Sequence, residues 1–290
     1  VIRRRRAVVL LVGVLFIAVG VATELGGGSG HAQAAHAGPT KRALRSLAAG
    51  VSFDQLTRTT QREARAIENV RRRVPFVSAG GRRHRLVALT FDDGPGPYTG
   101  RVVRALRRLG VRATFFQVGQ MIAAFPGVAR RVRRHFPVGD HTLSHPQMAM
   151  LAEPVQRNEI VADAERLRAV GAGRPLLFRP PYASFDLRTL EVVRQQGMLM
   201  VLWNVDSADW TRPGTRQIVR NVVSRVRPGA VVLMHDAGGD RRQTVAALPA
   251  IVHRLRRRGY RFVTVPRMLL EAPPRSAQRL PRGAQFARRH

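Results

Sequence analysis

From residue 86 onward the chain repeats one pattern: a short apolar run, then a longer stretch in which apolar residues recur every three or four positions. The apolar runs cover 86–91, 113–118, 176–178, 198–204, 230–234 and 261–265, and they read as strands. The stretches between them, 100–109, 154–170, 187–196, 215–226 and 244–258, read as helices. In the first, Val102, Val103, Leu106 and Leu109 fall on one face. Gly110, Gly197 and Gly259 each follow a predicted helix, where a C-terminal cap belongs. Strand alternating with helix implies a parallel sheet covered on both faces, either open or closed into a barrel.

The first 85 residues break this pattern. Four arginines at 3–6 precede a run, 7–22, without a charged or strongly polar side chain, the pattern of an export signal with its positive end held inside. Residues 1–25 are therefore expected to be a signal peptide or a membrane anchor, and the protein extracytoplasmic. Residues 26–85 read as a Gly-rich linker followed by a basic, partly helical stalk, or an arm that lies on the domain, in which Leu56, Ile67 and Val70 lie loosely on one face. Past Glu271, a Pro-Pro pair and five arginines predict a tail, 271–290, that does not pack.

Charge changes this picture little. The chain has 50 Lys+Arg against 18 Asp+Glu, a net +32, and Lys41 is its single lysine. The arginines are spread from Arg3 to Arg289 and form no stripe, as expected of a general preference for arginine over lysine. An anionic envelope surface could meet the basic arms, and the membrane could hold an uncleaved N-terminal segment; no nucleic-acid recognition motif is present. The absence of cysteine excludes disulfides, thiolate nucleophiles and Cys-ligated zinc.

Scarce residue types collect at the ends of the predicted strands. Asp92 and Asp93 are adjacent where the run 86–91 meets Gly94-Pro95. Adjacent carboxylates repel and cost stability unless a cation or a function offsets it, although Asp-Gly-Pro is also ordinary turn chemistry. His141 and His145 are four residues apart, a spacing from which two imidazoles reach one metal ion. Thr142 stands where the zincin helix motif has Glu, so these histidines belong to a different frame. Two histidines and one aspartate leave positions open for water and substrate, as in catalytic zinc sites; non-haem iron has the same ligand count, but the companion residues suit hydrolysis. Arg179, in Arg179-Pro180-Pro181-Tyr182, follows the strand 176–178 and could pair with a carboxylate of the site. Asp206, Asp209 and Trp210 follow the strand 198–204, and His235 follows 230–234. The C-terminal ends of parallel strands are where α/β sites form.

These five segments resemble, in order and spacing, the five motifs of the polysaccharide deacetylases, carbohydrate esterase family 4, also called the NodB-homology domain. Here the motifs read Thr-Phe-Asp-Asp-Gly-Pro at 90–95, His-Thr-Leu-Ser-His at 141–145, Arg-Pro-Pro-Tyr at 179–182, Asp-Ser-Ala-Asp-Trp at 206–210 and Leu-Met-His at 233–235. The resemblance covers residues 86–270 and implies an α/β fold, a distorted (β/α) barrel counted as seven strands. It further implies a metal-dependent hydrolase that removes N-acetyl groups from an amino-sugar polysaccharide, acting on a carbon–nitrogen bond other than a peptide bond. Asp93, His141 and His145 would hold a divalent metal, zinc or cobalt. Asp92 would be the general base, oriented by Arg179; His235 the general acid, oriented by Asp209; and the Tyr182 backbone N–H an oxyanion donor. Trp210 and Leu233 would be apolar walls, and Asp206 has no assigned role. Ala183 departs from the Gly that many members carry. Asp140, where Asn is common, is expected to add negative charge near the metal. Peptidoglycan is favoured over a chitin-type glycan because an envelope enzyme meets it first. The alternative is a catalytically silent glycan- or metal-binding protein on the same fold; the presence of both Asp92 and His235 argues against it, because binding needs neither base nor acid.

Overall fold

The computed structural model describes residues 53–287. The expected signal or anchor segment and the Gly-rich linker lie outside the described residues. Helix α1 (Phe53–Arg71) and strand β1 (Phe76–Val77) come first. They are followed by β2 (Leu86–Gly94), α2 (Thr99–Arg108), β3 (Ala113–Gln117), α3 (Gly119–Ala124), α4 (Pro126–Arg133), β4 (Val138–Asp140) and α5 (Glu153–Ala169). Next come β5 (Leu177–Phe178), β6 (Ser184–Asp186), α6 (Leu187–Gln195), β7 (Leu199–Val201), β8 (Val205–Asp206), α7 (Thr215–Arg225) and β9 (Ala230–His235). The last are α8 (Arg242–Arg257), β10 (Arg261–Phe262), α9 (Val265–Glu271) and β11 (Gln285–Ala287).

The main sheet is parallel and runs β1-β7-β5-β4-β3-β2-β9-β8, with β10 beside the start of β2. Seven strands, β7 to β8 in that order, form the barrel wall. Residues 199–206 close it: their first part pairs with β5 as β7, and their last part pairs with β9 as β8. The fold is thus the distorted (β/α) barrel that the motifs imply.

Alternation along the strands separates two cores. Val87, Leu89, Phe91 and Phe115 face outward and pack with buried residues of α2, α7 and α8. Ala88, Phe116 and Val231 come from β2, β3 and β9, and Leu177, Leu199 and Val201 from β5 and β7; the two groups of strands are separated by β4 yet share one cluster, so these side chains fill the barrel lumen. Ile67 and Val70 of α1 and Met268 and Leu269 of α9 join that cluster and plug the barrel.

Two expectations are corrected here. The supposed stalk contributes α1, which is core: its few apolar residues suffice because the lumen offers them a ready-made partner. The tail packs as well. Gln278 Oε1 accepts the backbone N–H groups of Ser78 at 2.9 Å and Ala79 at 3.2 Å, and β11 pairs in parallel with β6, laying Phe286 on Phe185. One amide and one phenyl ring are enough to fasten a segment whose composition is otherwise that of a solvated tail.

Candidate active site

Adjacent strand residues point to opposite faces, so Asp92 and Asp93 should diverge. A bulge prevents this. The register of β2 against β3 shifts between Phe91 and Gly94, and Asp93 takes a left-handed backbone with φ 71°. Both carboxylates then reach His141: Asp92 Oδ2 lies 3.8 Å and Asp93 Oδ1 3.5 Å from its Nε2. Asp93 Oδ1 is also 3.1 Å from His145 Nε2. Gly238, at φ 69°, lets the loop after β9 lie against Asp93, because a Cβ there would strike Asp93 Oδ2.

The loop 141–145 is held from behind by α5. His141 N–H donates to Asp163, Thr142 N–H to Asp140, Leu143 N–H to the Glu159 carbonyl and Ser144 N–H to the Glu159 carboxylate; His145 N–H turns back to Thr142 Oγ1. Every backbone donor of the motif has a partner, which fixes the loop although Thr142 and His145 both have positive φ. His141 Nδ1–H donates to the Arg179 carbonyl at 2.7 Å, which turns its Nε2 to the centre, and His145 Nδ1 lies 3.2 Å from the Tyr182 hydroxyl. Ligand atoms of Asp93, His141 and His145 all lie within 4.8 Å of one another. Two imidazole nitrogens and one carboxylate oxygen converging in this way fit a divalent metal. Burial works against an ionised Asp93, but the two imidazoles outweigh it and hold the carboxyl well below its ordinary range.

Arg179 is fully buried inside the barrel. Its guanidinium donates to Asp92 Oδ1 at 2.8 Å, to Thr90 Oγ1 at 2.7 Å and to the carbonyls of Val201 and Leu202, and it lies 4.2 Å from the Phe116 ring centroid. Burial lowers its pKa, and Asp92 opposes the fall. Across the site, Asp92 and His235 are register partners on adjacent strands. His235 Nδ1 is 2.7 Å from Asp209 Oδ1, while Asp209 Oδ2 accepts the His235 N–H and the Thr244 hydroxyl. Burial disfavours a charged imidazole here, yet the Asp209 carboxylate, helped by Asp93 and Asp92, raises His235 to about 9. An arginine–carboxylate pair and a carboxylate–histidine pair thus stand beside a trio that could hold a metal ion.

The remaining motif residues separate. Leu233 is buried, whereas Trp210 is 57% exposed and Tyr182 55% exposed at the rim. Asp206 caps its own turn, accepting the Ala208 N–H at 2.7 Å. Asp140 does not place a free charge near the trio. It is buried and hydrogen-bonded to Asp163; burial pushes Asp140 up to about 7, and burial together with the Asp140 charge pushes Asp163 well above its ordinary range. Two carboxyls so close in an apolar setting retain a proton between them. The sequence pattern places Glu159 and Asp163 in a predicted helix and gives them no role in the site. The signal was available: with Gln156 they fall at helical spacing among Ile160, Ala164 and Leu167, on the stripe that α5 buries.

A family model described as polysaccharide deacetylase matches residues 79–201. A peptidoglycan-N-acetylglucosamine deacetylase of Bacillus cereus is 38% identical over 189 residues, covering 64% of this chain and 88% of that protein. The chain belongs to the polysaccharide deacetylase family. A chitooligosaccharide deacetylase of Bradyrhizobium is 35% identical over 198 residues, covering 63% of this chain and 90% of that one. A crystal structure of a peptidoglycan N-acetylglucosamine deacetylase superposes with a TM-score of 0.67 at 34% identity, over 70% of this chain and 97% of the other. The polysaccharide deacetylase fold therefore extends over nearly the whole of that structure, and both ends of this chain reach beyond the 79–201 match.

Proposed function

We propose that this protein hydrolyses the N-acetyl groups of an envelope amino-sugar polysaccharide, with peptidoglycan as the favoured substrate and a chitin-type glycan next. One observation carries the reading: Asp92, bonded to Arg179, and His235, bonded to Asp209, occupy register-paired positions beside the Asp93, His141 and His145 trio. Kinship with the peptidoglycan and chitooligosaccharide deacetylases supports both the reaction and the substrate class. The apolar run at 7–22 behind four arginines supports an extracytoplasmic address, secreted or tethered. No helix among the described residues is long and apolar enough to cross a membrane.

Asp93, His141 and His145 would hold the metal, zinc by preference and cobalt as a substitute. When bound it supplies Lewis acidity to the amide carbonyl and lowers the pKa of water. Asp92, oriented by Arg179, takes the proton of the attacking water as the new carbon–oxygen bond forms. The carbonyl oxygen gains charge where the Tyr182 backbone N–H can donate to it. His235, protonated and aligned by Asp209, gives its proton to the nitrogen as the carbon–nitrogen bond breaks, releasing acetate and the free amino sugar. Solvent-exposed Trp210 and Tyr182 give the sugar rings a rim to lie on.

The test is acetate release by the purified protein from a panel of N-acetylated glycans, with and without chelator. Release that chelation abolishes and zinc or cobalt restores is expected. Full release in strong chelator, with no metal found by elemental analysis, overturns the metal assignment; no release from any glycan overturns the function.

A further inference from the structure

Tyr182 and Ala183 both stand in the left-handed region, with φ 57° and 49°. Neither is glycine, and the Cβ of each crowds the following carbonyl oxygen in that conformation. Two in succession persist only when the surroundings over-determine them. Upstream the chain is fixed by Pro180 and Pro181 and by the Ala183 N–H, which donates to the Pro180 carbonyl at 3.2 Å. Downstream, β6 begins at the very next residue, Ser184, and β6 is no part of the barrel wall. Its strand partner is β11, with Gln285 opposite Ser184, Phe286 opposite Phe185 and Ala287 opposite Asp186.

The brace has an anchor at each end. Gln278 is fastened to the backbone of Ser78 and Ala79. Phe286 rests on Phe185 with ring centroids 5.2 Å apart, and Phe185 in turn meets Phe76 edge-on at 6.2 Å. The loop so held touches the centre twice, through the Arg179 carbonyl on His141 and the Tyr182 hydroxyl on His145. It also presents the Tyr182 N–H.

We propose that the C-terminal segment is a positioning element of the active site: β11 locks β6 and thereby keeps the Tyr182–Ala183 turn in its left-handed form. The inference rests on the deacetylase reading for the consequence, and on geometry for the brace itself. Without β11 the turn relaxes and the Tyr182 N–H moves off the developing oxyanion. A lost oxyanion donor costs about 10²–10³ in turnover, so a donor in place for only about a tenth of the time costs about tenfold.

Three proteins test this: the full chain, a chain ending at Arg282, and the full chain carrying Phe286→Ser, each also made with Ala183→Gly. Expected is a fall of about tenfold in kcat for both perturbed proteins with KM within about twofold, because the donor acts mainly in the transition state. Acetate titrated into the cobalt-loaded proteins, followed by the cobalt absorption band, should bind about tenfold more weakly. Ala183→Gly should restore part of both losses, because glycine takes positive φ without strain. The inference is overturned if kcat and acetate affinity stay within twofold of the full chain. It is equally overturned if the losses track a lowered melting temperature and Ala183→Gly restores nothing. A full chain that releases acetate from no glycan, yet shows the acetate-affinity losses, would count against the deacetylase reading and leave the brace standing.

Discussion

Replacing Asp209 by Asn removes one charge and alters the proton geometry at His235. In the wild type Asp209 Oδ2 accepts two hydrogen bonds, from the His235 N–H and the Thr244 hydroxyl, and Oδ1 faces the imidazole Nδ1. An asparagine satisfies the two donors only by placing its oxygen there, which turns its NH₂ toward Nδ1. A doubly protonated ring then meets a donor instead of an acceptor. His235 stands near 9 in the intact site, with Asp209 the largest effect raising it against burial. Without that carboxylate it should fall to about its unperturbed value of 6.5, or lower where burial dominates. At about pH 8 the protonated share drops from about nine-tenths to about 3%, a loss near thirtyfold in kcat/KM; at about pH 6 the loss is under twofold. The assay is kcat/KM for acetate release against pH in the metal-loaded wild type and variant, with metal content matched. An alkaline limb that stays in place in an otherwise active Asp209→Asn would refute the pairing as the source of the shift. Stability should follow the same proton. His235 is raised in the folded state, so its contribution is complete below about pH 6.5 and is lost as pH rises through about 9. Melting temperature should therefore decline over that window in the wild type and much less in Asp209→Asn.

Other substitutions separate the remaining roles. Asp92→Asn should keep its metal while turnover falls by about 10²–10⁴, whereas His141→Ala should lose the metal; equal metal content in the two would contradict the division. Arg179→Met leaves Asp92 buried beside an uncompensated gap and should cost about 3–5 kcal/mol in denaturant unfolding, far more than loss of a surface arginine such as Arg242. Ile67→Ala in α1 should cost about 2–5 kcal/mol by the same measurement, because the helix plugs the barrel; a cost near zero would return it to the status of a stalk.

Much of this was legible in the sequence because it depends on local rules. The predicted helix 100–109 forms as Thr99–Arg108 and 215–226 as Thr215–Arg225, and the three capping glycines take positive φ. What escaped was short or non-local. Strand β4 is only Val-Gly-Asp, too brief for any periodicity, yet it delivers His141. Helices α3 and α4 each bury only two residues, fewer than a pattern requires. Helix α1 looked too sparse because its partner, α9, lies about two hundred residues away, a distance that no window spans. The site chemistry was readable from residue types, but not the bulge that turns Asp92 and Asp93 to the same place. It is a property of how β2 registers against β3 and leaves no mark in composition.

Arg179 bonds the carbonyls of Val201 and Leu202, where the chain crosses from β7 to β8 to close the barrel, and it also bonds Asp92. One side chain therefore has two duties, and mutation cannot remove one without the other. A lineage on this scaffold that abandoned catalysis would be free to lose His235 or Asp93 but would keep the arginine, with an acceptor beside it, for the sake of the wall. Arg179 in a relative would then report the closure of the wall and say nothing about present activity.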